Sequence, residues 1–134
     1  MSPEPYQNLL AAAQAEHDHG HYKEAVILAQ TAVEIFTEKA LRQLYQARRL
    51  EYLKATFEHL LINYNIGNTK VSQLYIALSN DDIKQAPFWS RFIAHTELRN
   101  ELVHEGKDAT EAQSRASLEA VKALIDHVAE AIAR

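Results

Sequence analysis

Apolar residues recur along this chain at three- and four-residue steps, the period of a helix with one buried face. A first helix is predicted from about Gln7 to Asp18 on Leu9, Leu10 and Ala13, behind a short tail in which Pro3 and Pro5 disfavour a helix interior. Gly20 ends it at a corner of sequence His17-Asp18-His19-Gly20-His21. From Tyr22 to Tyr64 there is neither glycine nor proline, too long a run for one ordinary globular helix. Ala29, Val33, Phe36, Ala40 and Leu44 form one stripe; Leu50, Leu53, Phe57, Leu60, Leu61 and Tyr64 form a second. A break is therefore expected between Leu44 and Leu50, although no residue there marks it. Asn68 or Thr69 is positioned to cap a short helix carrying Val71, Leu74, Tyr75 and Leu78, which Ser79-Asn80-Asp81-Asp82 would close. Pro87 suits the first turn of the next helix, running to about Glu105 and stopped by Gly106. Asp108 or Thr110 would cap a last helix with the stripe Leu118, Val121, Leu124, Ile125, Val128 and Ile132. The expected architecture is all-α: an up-and-down bundle of five or six helices forming one domain over residues 1–134.

Composition narrows the class. The chain has 134 residues, enough for one core and not two. Leu, Ile, Val and Phe supply 34 of them and Ala 21, which suits closely packed helices. With no cysteine, disulfides, thiolate catalysis and cysteine-ligated zinc are excluded. No apolar run is long enough to span a membrane, and no signal-type segment opens the chain, so a cytoplasmic location is the expectation. A net charge of -4 argues against coating nucleic acid by bulk electrostatics. The charge is uneven, however: Lys39, Arg42, Arg48, Arg49 and Lys54 face only Glu38 and Glu51 in that stretch, so Arg48 and Arg49 are candidates for guiding an RNA strand, beside the plainer role of surface solubility.

The helix after Pro87 holds the strongest chemical signal. At about 100° per residue, with Phe88 at zero, Phe92 falls near 40°, Val103 near 60° and Leu102 near 320°, with Arg99 near 20° in the middle of this apolar arc and His95 near 340°. A guanidinium stays charged, and sealing it away unpaired would cost several kcal/mol. Three arrangements satisfy it: its stem snorkels to water, it pairs with an internal carboxylate such as Glu34, or it lines a cleft that receives an anion. Asn100 and His104 are spaced i, i+4, which lets the amide bond the imidazole and set its tautomer. In a straight helix Arg99 and His104 diverge by about 140° and stand roughly 7.5 Å apart along the axis. A bend there, or a second subunit crossing the face, would bring both to one phosphate-sized group. His104 also sits in the last turn, where the helix dipole favours a cation, so a capping role stands beside the catalytic one.

Arg99-Asn100-Glu101-Leu102-Val103-His104, followed by Glu105-Gly106, resembles the R-x4–6-H motif of the HEPN superfamily. The stretch from Tyr22 through Ala40-Leu41 resembles that family's long early helix, and the Leu118–Ile132 stripe its closing one, while residues 45–87 carry no family feature. The resemblance implies a compact helical bundle that dimerises, with Arg99 as motif arginine, Asn100 as its polar neighbour and His104 as motif histidine. It further implies metal-independent RNA cleavage by 2'-hydroxyl attack in a site shared across a homodimer, without cofactor, in a toxin or defence effector held in check by a separately encoded antitoxin or regulatory protein. Other members bind nucleotides or proteins without cleaving anything, and this alternative, like a purely structural scaffold, stays open on the residues alone. Elsewhere the signals are weak. Glu97 and Glu101 fall on the polar side, and His17, His19 and His21 lack metal-ligand spacing and read as a hydrated corner. A tetratricopeptide-like Gly20-x-Tyr22-x-Glu24-Ala25 does not recur 34 residues on.

Overall fold

The computed structural model describes residues 2–61 and 63–134, with Leu60 described by its backbone only, so that residue's place in the second stripe lies outside the described side chains. The protein is an all-α, up-and-down bundle of six helices, with no strand among the described residues. They are α1 (Pro5–Asp18), α2 (Tyr22–Ala47), α3 (Lys54–Leu60), α4 (Thr69–Ser79), α5 (Trp89–His104) and α6 (Glu111–Ala133). Single 3-10 turns at Glu51–Leu53 and Ile83–Gln85 precede α3 and α5. Among the described residues no helix is long and apolar enough to cross a membrane.

Most termini follow the local chemistry. Pro5 starts α1 two residues earlier than expected, because at the first helical position its missing N–H costs nothing. Asn68 caps α4 by accepting from Lys70 N at 2.9 Å, and Thr110 caps α6 by accepting from Gln113 N at 3.1 Å. Pro87 lies two residues ahead of α5 rather than in its first turn, and holds Ala86 extended before it. Gly106 (φ +67°) then turns the chain out of α5.

The unmarked break after Leu44 is a complete Schellman turn. Leu50 N donates to Tyr45 O at 2.7 Å and Arg49 N to Gln46 O at 3.1 Å, with Arg49 in the left-handed region at φ 57°. A residue with a Cβ is disfavoured there, and glycine is the usual occupant. Arg49→Gly is therefore expected to stabilise the fold by about 0.5–1 kcal/mol, net of the flexibility glycine adds to the unfolded chain; thermal denaturation of the two proteins measures it. The second stripe forms only the seven-residue α3, not a long helix. Past Leu61, Asn63 Oδ1 accepts from Asn65 N at 2.8 Å and Asn65 Oδ1 from Gly67 N at 2.9 Å, so asparagine side chains take up backbone donors that a helix would have used. Gly67 is pressed against α5: a Cβ there would lie 3.2 Å from Thr96 Cγ2.

Helix directions follow from long-range contacts. Tyr6 packs on Phe36 at 5.0 Å between centroids, so α2 returns antiparallel along α1. His17 meets Ser114 and Gln14 meets Lys122, which sets α6 antiparallel to α1 and parallel to α2. Phe88, just before α5, touches His127 near the end of α6, so α5 runs antiparallel to both α6 and α2. The core is sealed where these helices face one another, at Val26, Val33, Leu41, Phe92, Val121 and Leu124, each with no exposed surface.

Candidate functional site

Arg99 holds the position that the wheel assigns it. Its flanking α5 residues His95 and Leu102 are buried, and its own side chain is half-buried, with the Nε atom sealed from solvent. The expected ion pair with Glu34 is not formed. Among the described residues no carboxylate lies within ion-pair distance of Arg99, and its Nη1 donates instead to Asn100 Oδ1 at 3.3 Å. Antiparallel packing explains this. Gln30 on α2 meets His95 on α5, Arg99 is one turn beyond His95, and Glu34 is one turn beyond Gln30 in the opposite direction, so the two are separated by about 12 Å along the bundle.

Glu34 still reaches this end of the site, through a relay. A carboxylate accepts only, so the Gln30 amide turns its Nε2 to Glu34 Oε1 at 3.1 Å and presents its Oε1 to His95 Nε2 at 2.9 Å. His95 therefore carries its proton on Nε2 and leaves Nδ1 as a bare acceptor. Burial, reinforced by the nearby Arg99 charge, lowers the His95 pKa to about 4. The native state thus holds a neutral imidazole where the unfolded chain holds one titrating near 6.5. Below pH 6.5 the unfolded chain takes up a proton that the native state refuses, so stability is fully present above that value and declines as pH falls toward 4. This single group is expected to remove about 3 kcal/mol over that window. Denaturation at pH 7, 5.5 and 4, compared with His95→Gln, isolates the contribution. On the α6 side of α5, His95 also lines a groove of about 210 Å³ together with Arg91, Leu98, Gln113 and Ser117.

The other predicted site residues are placed unevenly. Asn100 and His104 are both exposed, and the Asn100 oxygen engages Arg99 rather than the imidazole expected to receive it. α5 is regular through His104, so the expected bend is absent and Arg99 and His104 leave one chain on different sides of the helix. Val103, assigned to the buried arc, is 46% exposed: near its C-terminal end α5 no longer has a neighbour on that side. Arg48 and Arg49 lie at the far end of α2, where Arg48 Nε caps α4 by donating to Leu78 O at 3.0 Å. His104 lies beside the opposite end of that helix, roughly 35–40 Å away, so within one chain these arginines are not part of an Arg99–His104 site.

The three corner histidines each have a partner: His17 the Ser114 hydroxyl on α6, His19 the Ala15 carbonyl and His21 the Glu16 carboxylate, the last two within the corner itself. Sequence reasoning noted His95 beside Arg99 without giving it a role, and passed over Gln30. Gln30 stands about 100° from Ala29, beside the stripe of α2 and not on it, so periodicity gave no signal for it, and only the packing of α2 on α5 buries it.

The fold and site together define a six-helix bundle with a half-buried arginine that has no carboxylate partner among the described residues. No family model, curated protein or solved structure matches this chain.

Proposed function

We propose that the chain is a HEPN-like, metal-independent endoribonuclease whose active site is completed by a second copy. The observation that carries this reading is the half-buried Arg99 guanidinium with no carboxylate in reach among the described residues. A cation in that state is matched best by an anion from outside the chain, and its planar fork suits the non-bridging oxygens of a phosphodiester. The exposed side of α5 supports the second copy: Arg99, Val103, Asn100 and His104 follow one another around about 140° of the helix, and Val103 places an apolar residue among the polar ones.

In the proposed reaction one His104 takes the proton of the RNA 2'-hydroxyl. The oxygen attacks the adjacent phosphorus, and Arg99 stabilises the charge that develops on the phosphorane. The P–O5' bond breaks as the partner subunit's His104 gives the leaving oxygen a proton. Products are a 2',3'-cyclic phosphate and a 5'-hydroxyl, with no redox change and no metal-dependent step. A toxin or defence role under a separately encoded antitoxin or regulatory protein belongs to the same proposal, as does an outlying contact of Arg48 and Arg49 with RNA.

The test is RNA cleavage in EDTA by the native chain, Arg99→Ala and His104→Ala. Cleavage lost in both variants supports the enzyme, and identical background in all three removes it. A second reading, a non-catalytic module that binds a phosphate-bearing nucleotide at Arg99, is favoured by the separation of Arg99 from His104 within one chain. In that case Arg99→Ala abolishes nucleotide binding and His104→Ala leaves it intact.

A further inference from the structure

The groove between α5 and α6 has no part in the chemistry given to Arg99 and His104. Arg91, Ala94 and His95 face it from α5 and Gln113, Ala116 and Ser117 from α6, both sets at i, i+3 and i+4 and hence each on one helix face. Ala94, Ala116 and Ser117 are too small to fill the space between the two helices, which leaves about 210 Å³ open. Three polar groups at this space have hydrogen-bonding capacity left over. Ser117 is only 2% exposed, yet its hydroxyl meets no partner among the described residues. A hydroxyl so placed is costly, and an acceptor brought by a ligand removes that cost. The capping box that starts α6 fixes the Gln113 amide: its Oε1 accepts from Thr110 N at 2.9 Å, which leaves the Nε2 hydrogens to donate elsewhere. Arg91, exposed at the rim, has no carboxylate within ion-pair distance among the described residues.

We propose that this groove is a base-binding subsite for single-stranded RNA and that it selects guanine. The assignment to RNA rests on the reading of Arg99 as a residue that binds a phosphodiester. His95, which lines the groove, stands one turn before Arg99 on the same face of α5, so the groove ends beside that phosphate position. Its volume lies below the roughly 300–1,000 Å³ of sites that enclose a whole drug-sized ligand, so it holds one ring system and not a complete nucleotide. Ala94, Leu98 and Ala116 offer apolar walls to the faces of a planar base, and the polar groups meet its edge. A guanidinium and an amide nitrogen can only donate, and the Ser117 hydroxyl can donate too, so the matching edge is one built of acceptors. Guanine alone presents two adjacent acceptors, N7 and O6, on an edge free of donors, and an arginine fork fits that pair; adenine sets an N6 donor beside its N7.

Binding of short 2'-O-methyl oligonucleotides to the full chain tests this, because a strand without the 2'-hydroxyl nucleophile stays intact. Each strand carries one variable base among cytosines. Guanine is expected to bind about tenfold tighter than adenine or 7-deazaguanine, which lacks N7, and inosine, which keeps N7 and O6, to match guanine. Amide NMR shifts at Ala94, Ala116 and Ser117 should accompany the preference. Ser117→Ala removes the hydroxyl, and Gln113→Glu keeps the capping acceptor while removing the donors; each should reduce the guanine preference several-fold. The added charge of Gln113→Glu weakens every strand alike and cancels in the preference. Ala116→Leu fills the groove and should abolish the preference; if it fails to fold, the two milder variants decide. Equal affinity for all bases overturns the proposal, as does inosine binding as weakly as adenine, or a guanine preference untouched by the variants. A chain that cleaves no RNA in EDTA but binds guanine strands in the groove removes the nuclease and leaves the subsite. Cleavage without any base preference in binding does the reverse, and a chain that binds none of the strands loses both.

Discussion

An equal mixture of native and His104→Ala chains is expected to cleave RNA at about a quarter of the rate of the native chain alone, while His104→Ala by itself falls by roughly 10²–10⁴-fold. The helix geometry requires such an outcome if the proposed enzyme is real. α5 is unbroken between the two residues, so one chain sends them out about 140° apart and does not close a phosphate between them. A two-fold pair of chains places the arginine of one beside the histidine of the other, twice. In a randomly mixed population about half of the dimers contain one chain of each kind and keep a single His104, and only the native pairs, about a quarter, hold both the base and the acid. A site contained within one chain predicts about half of the native rate, and this outcome would exclude the shared arrangement. The measurement is a fluorogenic RNA assay in EDTA after co-refolding, with the dimer fraction read by sedimentation.

The largest expected effect on stability comes from Phe92→Ala, at about 3–5 kcal/mol. Phe92 has no exposed surface, lies in the core one turn before His95–Thr96, and packs against Trp89 at 5.8 Å and His95 at 5.8 Å between ring centroids. Its removal takes apolar area out of the core and leaves a void that the neighbouring α2 and α6 fill only in part. Val103→Ala on the same helix provides the internal comparison. At 46% exposure it has little burial to lose, and a change within about 0.5 kcal/mol is expected in the isolated chain. Urea denaturation of the three proteins gives both values. A Phe92→Ala protein with a native-like midpoint would mean that α5 is not packed as described, and the placement of Arg99 would fall with it.

How much of this was legible from residues alone is best seen on α5. Its extent, its buried arc and the anomalous arginine at the centre of that arc all follow from a helical period, because the period is a property of the backbone and holds wherever a helix forms. The wheel misplaced Val103, since periodicity says which side of a helix is apolar but not where its neighbours stop. It also allowed a pairing of Arg99 with Glu34 that helix direction forbids. The same limit applies to the segment after Leu44. A break was required by length, but its form, a left-handed Arg49 under a Schellman turn, leaves no glycine to read, and the helix expected up to Tyr64 shrank to seven residues once asparagine side chains had taken the backbone donors.

The residues by themselves determined an all-helical bundle, the absence of thiol chemistry, and the presence of one cation that an apolar stripe does not explain. Those conclusions depend on local geometry and side-chain chemistry, which act within a few residues. Only the tertiary structure decided that α2 and α5 run in opposite directions, that Gln30 therefore meets His95, that no acid among the described residues reaches Arg99, and that Arg48 and Arg49 stand at the other end of the molecule. Contacts between residues 65 apart in the chain depend on how whole helices pack, and that is settled by the sum of many weak burial energies and not by any motif.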